Sequence, residues 1–137
     1  MPAAPRIAWT YFDLGLDLSG RADPRRRTLF RTLVRDLAWA QGTIAFWPVA
    51  VPDPGADAPA PRAELFWRGL DELGLRQVAC FGRRALAVIC PGADPSAVRH
   101  MTEGGHTVFI LPGPGDLLEL LPHERHRALR ALAALGF

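Results

Sequence analysis

Two kinds of hydrophobic pattern alternate along the chain. Short runs of mostly apolar residues alternate with longer segments in which leucine, valine and phenylalanine recur every three or four positions. The first pattern predicts buried strands and the second predicts amphipathic helices. The predicted strands are residues 7–12, 43–47, 78–81 and 107–111. The predicted helices are residues 24–41, 62–73 and 83–89, a short helix capped by Asp116, and a terminal helix from Pro122 that ends at Gly136.

This alternation of strands and helices predicts an α/β fold arranged as a three-layer sandwich. Apolar runs without polar alternation are typical of parallel strands that are covered on both faces. Right-handed crossover connections would place helices on both sides of a four-stranded, mostly parallel sheet. The length of 137 residues is that of one domain, which usually has about 100–150 residues. We therefore expect residues 1–137 to form a single domain.

Ligands of open parallel sheets bind beyond the carboxyl ends of the strands, so the loops at that edge are the candidate sites. These loops are residues 13–20, 47–52, 82–84 and 112–115. The residues in them with suitable chemistry for binding are Asp13, Asp17, Trp47, Gly82, Arg83, Arg84 and Gly113. An open, polar crevice there would favour a ligand, whereas a crevice filled by Trp47 and Leu111 would favour a purely structural scaffold.

Most of these candidates have a possible chemical role, and some also have a structural alternative. Gly82 permits a direct turn from strand to helix, where Arg83 and Arg84 would add positive charge for an anion; the same turn is also common packing geometry. Trp47 could stack on a nucleobase, but tryptophans at such spacing are also typical of the core. Asp13 or Asp17 could act as a general base.

An arginine stripe runs along the first predicted helix, at positions 27, 31 and 35. Such a stripe is typical both of a surface that follows a nucleic-acid backbone and of an ordinary solvated helix face. Because this helix runs away from the sheet edge, only Arg25, Arg26 and Arg27 are expected to lie beside Arg83 and Arg84.

Composition narrows the classes of function. Hydrophobic residues make up 49% and charged residues 22% of the chain, which favours a packed globular protein over a disordered one. The net charge of +2 does not by itself indicate a nucleic-acid or membrane partner. No apolar run reaches the about 20 residues of a membrane span. Since the N-terminal residues also lack the pattern of a secretory leader, we expect a cytoplasmic protein.

Cysteine and histidine add no clear chemical site. Cys80 and Cys90 are the two cysteines, and both lie in apolar surroundings that predict buried free thiols. The histidines at 100 and 106 lie on either side of Gly104-Gly105, so they cannot share one helical face, and those at 123 and 126 lack a third ligand nearby in sequence. We therefore expect no metal site, and no motif indicates a cofactor.

Three segments resemble the uracil-DNA glycosylase superfamily in order and spacing over about residues 24–135. They are residues 43–49 (TIAFWPV), 78–85 (VACFGRRA) and 108–118 (VFILPGPGDLL). The resemblance implies a glycosylase-like α/β domain whose last strand leads into a loop that enters DNA.

The residues that would carry out glycosylase chemistry depart from the family pattern. The catalytic histidine of the family falls at Leu111, which cannot stabilise a developing uracil anion. The chain contains no asparagine to read uracil, and the family's water-positioning loop falls at residues 13–20, which have no proline. Only Asp13 or Asp17 could position water there, so we expect no catalytic glycosylase residue.

These observations favour a non-catalytic protein of glycosylase-like fold with a binding or assembly role. Its partner would be nucleic acid, bound weakly and without sequence preference, or another protein, with a homodimer as one form. The alternative is an enzyme that acts on a small anionic or nucleotide-like substrate at the crevice, with Asp13 or Asp17 as the base and residues 82–84 as the anion site.

Overall fold

A computed structural model describes residues 4–20, 23–53, 55, 59–135 and 137. In chain order, the strands of this part are β1 (Ile7–Tyr11), β2 (Ile44–Phe46), β3 (Ala50–Val51), β4 (Ala60–Pro61), β5 (Gln77–Phe81), β6 (Arg99–Met101) and β7 (Thr107–Leu111). The helices are α1 (Leu14–Leu18), α2 (Pro24–Leu37), α3 (Ala63–Leu73), α4 (Arg83–Ile89), α5 (Pro114–Leu118), α6 (Pro122–Ala128) and α7 (Arg130–Ala133). No helix in these ranges is both long and apolar enough to cross a membrane.

The main sheet has five strands in the order β2-β1-β5-β7-β6. The strands β2, β1, β5 and β7 pair in parallel, as predicted, and β6 pairs antiparallel with β7. The predicted count of four strands is therefore wrong. Strand β6 has the sequence Arg-His-Met and is largely exposed, so this edge strand has no apolar run that could reveal it.

Strand β1 shows why the central strands are apolar along their whole length. All five of its residues are buried, and successive side chains of a strand point to opposite faces of the sheet. Ile7, Trp9 and Tyr11 join the core cluster that includes residues of α1, α2 and α5. Ala8 joins the cluster that includes residues of α3 and α4. Helices therefore cover both faces of the sheet.

Aromatic rings fill the core on the α2 side. The ring centroid of Trp9 lies 5.1 Å from that of Phe81 and 5.9 Å from that of Phe46. Tyr11 stacks on Phe30 of α2 at 4.6 Å. Such aromatic pairs add about 0.5–1.5 kcal/mol each beyond the burial of their surface, so they fix α2 against β1.

Helix α2 begins as the sequence predicts and ends earlier. The side chain of Asp23 accepts a hydrogen bond from the Arg25 amide at 2.8 Å, and Pro24 occupies the first helical position. The predicted end at residue 41 is wrong, because Ala38 adopts a left-handed conformation with φ of 55° that ends the helix after Leu37.

Other predicted boundaries also differ from the structure. The predicted loop 13–20 contains α1, a helix of five residues that is too short to give a periodic pattern. Helix α5 begins at Pro114 with Gly113 as its N-cap, so Asp116 is not the cap. The predicted terminal helix is interrupted at Leu129, between α6 and α7. The predicted stop at Gly136 lies outside the described residues.

The two-stranded hairpin β3-β4 was not predicted. It pairs Ala50 with Pro61 and Val51 with Ala60, at the two ends of the proline-rich segment 52–61, whose sequence has no periodic pattern and predicts a loop. Residues 54 and 56–58 of that segment lie outside the described residues. Both cysteines are buried and free, as predicted, and burial raises the pKa of the Cys80 thiol to about 12.

The substitution Gly69→Ala tests the packing of Trp47 on α3. A Cβ atom at position 69 would lie 2.1 Å from Cζ2 of Trp47, so the indole ring would have to move. Alanine in place of a helical glycine normally stabilises by about 1 kcal/mol, whereas overpacking destabilises by about 1–3 kcal/mol. We expect the free energy of unfolding to fall by about 1–2 kcal/mol in urea titrations that follow tryptophan fluorescence.

Gly92→Ala is the matched control. A Cβ at position 92 would meet no atom within 4 Å, so the free energy of unfolding should change by less than about 0.5 kcal/mol. Equal stability of the two variants would show that the indole ring does not occupy the space over Gly69.

Candidate functional site

A charged cleft of about 390 Å³ opens beyond the carboxyl ends of β1, β5 and β7. The chain leaves β1 on one side to form β2 and returns on the other side to form β5, so the strand order reverses between β1 and β5. Loops diverge at such a reversal, which is where open α/β sheets bind ligands. We call this cleft the switch-point cleft. Its charged lining residues are Asp13, Asp23, Arg25, Arg26, Arg83, Arg84 and Asp116.

Two glycines bring the loops after β5 and β7 together at the floor of the cleft. Gly82 has a φ of 103°, which favours glycine, and its amide donates to the carbonyl oxygen of Leu111 at 3.0 Å. A Cβ at Gly82 would lie 3.2 Å from the Cα of Gly113. The close approach of these loops therefore depends on both glycines.

Arg83 and Arg84 provide the cations on the β5 side of the cleft. Both are exposed, and the guanidinium carbon of Arg84 lies 3.8 Å from the centroid of the Phe12 ring. This cation–π contact orients Arg84 without neutralising its charge. In the described part of the chain, neither arginine lies within ion-pair distance of a carboxylate. The two charges are therefore available to a ligand.

Asp17 does not contribute to the switch-point cleft. Its carboxylate accepts hydrogen bonds from Nη2 of Arg26 at 2.6 Å and from Nε of Arg26 at 3.0 Å. The hydroxyl of Tyr11 donates to the same carboxylate. With these partners, Asp17 is held in a structural ion pair that ties α1 to α2. It is therefore not a free general base.

The pKa of Asp17 reflects this environment. Burial raises it, but the hydrogen bonds from Arg26 and Tyr11 and the charge of Arg26 outweigh burial, so the pKa is lower than in a free aspartate. Burial and the hydrogen bond to Asp17 raise the pKa of the Tyr11 hydroxyl. Tyr11 therefore stays protonated and acts as a donor.

Asp13, unlike Asp17, lines the switch-point cleft. Its carboxylate lies 3.8 Å from Nη1 of Arg26, and its side chain is 36% exposed. Asp23 also lies near Arg26, at 3.6 Å from the same nitrogen. Arg26 is thus shared among three carboxylates, and Asp13 is the least firmly held of the predicted acidic candidates.

Trp47 and Leu111 do not fill the crevice. Trp47 follows β2, as predicted, but its ring packs on Gly69 of α3 and is not part of the cleft lining. Leu111 is 5% exposed and belongs to the core on the α2 side. Of the two outcomes considered from the sequence, the structure has the open crevice, and charged side chains form part of its lining.

The arginines of α2 divide between two surfaces. Arg25 and Arg26 line the switch-point cleft with Arg83 and Arg84, as the direction of the helix predicts. The prediction for Arg27 is wrong, because the helical rotation turns it to a separate groove that Arg31 also lines. The α2 stripe and the cleft arginines therefore do not form one continuous basic surface.

Some lining residues were not among the sequence candidates. Phe12 supports Arg84, and Asp23 and Asp116 contribute carboxylates. Phe12 is the last residue of the first predicted strand and directly precedes a candidate loop. This position at the strand end is the sequence feature that could have identified it as a lining residue. The sequence predicts Asp116 only as a helix cap, and Asp23 directly precedes a predicted helix, so neither residue is a sequence candidate for the sheet edge.

His106 has a structural partner. Its Nε2 lies 3.0 Å from Oδ1 of Asp71 on α3, and the Thr102 hydroxyl accepts its backbone N–H at 3.0 Å. The imidazole therefore joins the β6-β7 hairpin to α3. Among the described residues, His, Cys, Asp and Glu side chains form no group of three that could hold a metal ion.

Comparison of the sequence with protein-family models gives no match, and a search of curated proteins finds no similar sequence. The resemblance to uracil-DNA glycosylases stays a prediction from the three sequence segments. Function has to be argued from the cleft itself.

Replacing Asp17 by asparagine should destabilise the fold at neutral pH. Hydrogen bonds to charged groups contribute about 1.5–3 kcal/mol, so we expect the free energy of unfolding of D17N to be lower by about 1–3 kcal/mol at pH 7. The pKa of Asp17 is lower in the folded protein than the about 3.9 of an unfolded chain. The difference between wild type and D17N should therefore be complete above about pH 5 and shrink as the pH falls below about 4.

Urea titrations at several pH values measure this difference. Glu72→Gln, which makes the same change of carboxylate to amide at an exposed position on α3, serves as the control and should leave stability nearly unchanged. A D17N effect that stays constant down to pH 3 would show that the carboxylate charge does not contribute.

Proposed function

We propose that the protein is a non-catalytic binding protein and that the switch-point cleft binds a phosphate-bearing ligand. The observation that carries the proposal is the meeting of Arg83 and Arg84 with Arg25 at the point where the strand order reverses. Loops diverge there, so a small ligand has room between them. The phosphate could belong to a nucleotide or to a nucleic-acid backbone.

Two arginines of the cleft support an anion, and the carboxylates of Asp13 and Asp116 are opposing charges in its lining. Arg26 is held by Asp17 at 2.6 Å, and Arg25 lies 3.9 Å from Asp23. Arg83 and Arg84 keep their charges free within the described part of the chain. Guanidinium groups bind phosphate through paired N–H donors, so these two side chains are the expected contacts of the ligand.

The last residue of β7 supports a role without base excision. Leu111 occupies the position at which the resemblance would require a catalytic histidine, and it is buried in the core. An aliphatic side chain cannot donate to the uracil leaving group. The proposed ligand is therefore bound and released unchanged.

Binding of deoxyuridine monophosphate and of a short oligothymidylate tests the proposal. Each charge-assisted hydrogen bond lost costs about 1.5–3 kcal/mol, so the double variant R83A/R84A should weaken binding at least tenfold in calorimetric titrations, as about 1.4 kcal/mol is a factor of ten. The exposed pair Arg127 and Arg130, on α6 and α7, gives the matched control R127A/R130A, which should bind nearly as wild type.

The two probes separate the two sources of phosphate. If the ligand is a nucleic-acid backbone, the oligonucleotide binds more tightly than the monophosphate and its affinity falls with salt at a log–log slope of about 0.7 per phosphate contacted. If it is a nucleotide, the two probes bind alike. Failure of both probes to bind at about 50 mM salt, or equal binding by R83A/R84A and R127A/R130A, would contradict the proposal.

The purified protein should not release uracil from DNA. We expect the rate of release from uracil-containing single- and double-stranded oligonucleotides to equal the rate in buffer, because the chain lacks a group that stabilises the uracil anion. Gel analysis after alkaline cleavage of abasic sites measures the release. Excision above the buffer rate would show that a different residue supplies the chemistry.

An enzyme acting on a small anionic substrate is the second candidate function. The observation that favours it is the carboxylate of Asp13, which lies in the same cleft as Arg83 and Arg84 and is partly exposed. It could serve as a general base, whereas Asp17 is held by Arg26. Under this alternative, the wild-type protein converts a nucleotide, and chromatography of the reaction mixture measures the product. The variant D13N would still bind the nucleotide but would no longer convert it.

A further inference from the structure

A second groove lies on the α2 side of the molecule, between α1, α2 and β2. Its volume is about 350 Å³ and its apolar lining consists of Tyr11, Leu14, Leu18, Phe30, Val34 and Phe46. We call it the apolar groove. Leu18 is 61% exposed and Val34 is 37% exposed, so both present hydrophobic surface to solvent. Nothing in the described part of the chain covers these two side chains.

The charge along the apolar groove is positive. Arg27 and Arg31 line it, and residues four apart on a helix are neighbours on one face, with Cβ atoms about 5–6 Å apart. Neither arginine lies within ion-pair distance of a carboxylate in the described residues. Asp17 is the one carboxylate among the described lining residues, and Arg26 neutralises it at 2.6 Å.

This combination separates two interpretations of the α2 stripe. A nucleic-acid backbone requires a polar surface that follows its phosphates, whereas Arg27 and Arg31 border exposed leucine and valine. Apolar anchors with charged neighbours are typical of a groove that receives one face of an amphipathic helix. Charge complementarity then requires carboxylates beside the apolar face of that helix.

We propose that the apolar groove docks an acidic amphipathic helix of a partner protein. Leucine or phenylalanine side chains of the partner, spaced three or four residues apart, would cover Leu18 and Val34. Aspartate or glutamate side chains along the edge of the helix would pair with Arg27 and Arg31. The proposal does not rest on ligand binding in the switch-point cleft, because Arg83 and Arg84 take no part in it.

Selection from a random peptide library identifies the chemistry that the apolar groove recognises. The immobilised wild-type chain is the target, and peptides that bind the support without the chain are removed beforehand. We expect the selected peptides to carry net negative charge and apolar residues spaced three or four positions apart. A selection that enriches no peptide, or that enriches basic peptides, overturns the proposal.

Affinities of a synthesised selected peptide then locate the contact. Leu18→Ser should weaken binding about fivefold or more, because it removes an exposed apolar side chain that the partner helix would bury. Val98→Ser is the control, since Val98 is 63% exposed and lies outside the apolar groove. R27E/R31E should weaken binding at least tenfold, as about 1.4 kcal/mol corresponds to that factor, while R127E/R130E should leave it nearly unchanged.

Two further outcomes would assign the surface to another occupant and overturn the proposal. Direct binding of oligothymidylate that is lost in R27E/R31E and retained in Leu18→Ser would assign the α2 stripe to nucleic acid. A concentration-dependent dimer in light scattering that Leu18→Ser dissociates would assign the apolar groove to a second copy of this chain. Circular dichroism of each variant verifies that it is folded.

Discussion

The burial of β1 on both faces, between β2 and β5, is the constraint on which the rest of the structure depends. Every residue of β1 is buried, so helices must pack on both sides of it. Its neighbours β2 and β5 both follow it in the chain and lie on opposite sides of it in the sheet, so the strand order reverses at β1. The same constraint that builds the core therefore opens the switch-point cleft.

The ion pair between Asp17 and Arg26 divides the surface beyond β1 into two parts. Arg26 and Arg27 are adjacent in sequence, but the rotation of α2 turns Arg26 to the switch-point cleft and Arg27 to the apolar groove. Asp17, which also accepts a hydrogen bond from the Tyr11 hydroxyl, holds Arg26 in place. The switch-point cleft on one side of this ion pair is lined by charged residues, and the apolar groove on the other side has Arg27 and Arg31 in its lining. Neighbouring residues of one helix thus serve two surfaces of different chemistry.

The sequence predicts the parallel core of the fold because that core leaves strong patterns. Strands with continuous apolar residues and a helix that starts at Asp23-Pro24 are visible without coordinates. Strand β6 is an exposed edge and α1 has five residues, so neither produces a period that could be recognised. Helix α2 ends at a left-handed alanine, whereas the sequence offers a glycine further along as the natural stop.

The sequence predicts where the candidate site lies in the fold, but it does not predict which side chains contact one another there. The rule that parallel sheets bind ligands beyond their carboxyl ends identifies Gly82, Arg83, Arg84 and Gly113. Which of two aspartates is free depends on three-dimensional contacts, since Asp13 and Asp17 are equally plausible by composition. The difference arises because Tyr11 and Arg26 converge on Asp17 and not on Asp13. Trp47 likewise has the chemistry of a base-stacking residue, but Gly69 leaves a space on α3 that its ring occupies. Because the largest side chain near the sheet edge is held there, the switch-point cleft stays open to a ligand.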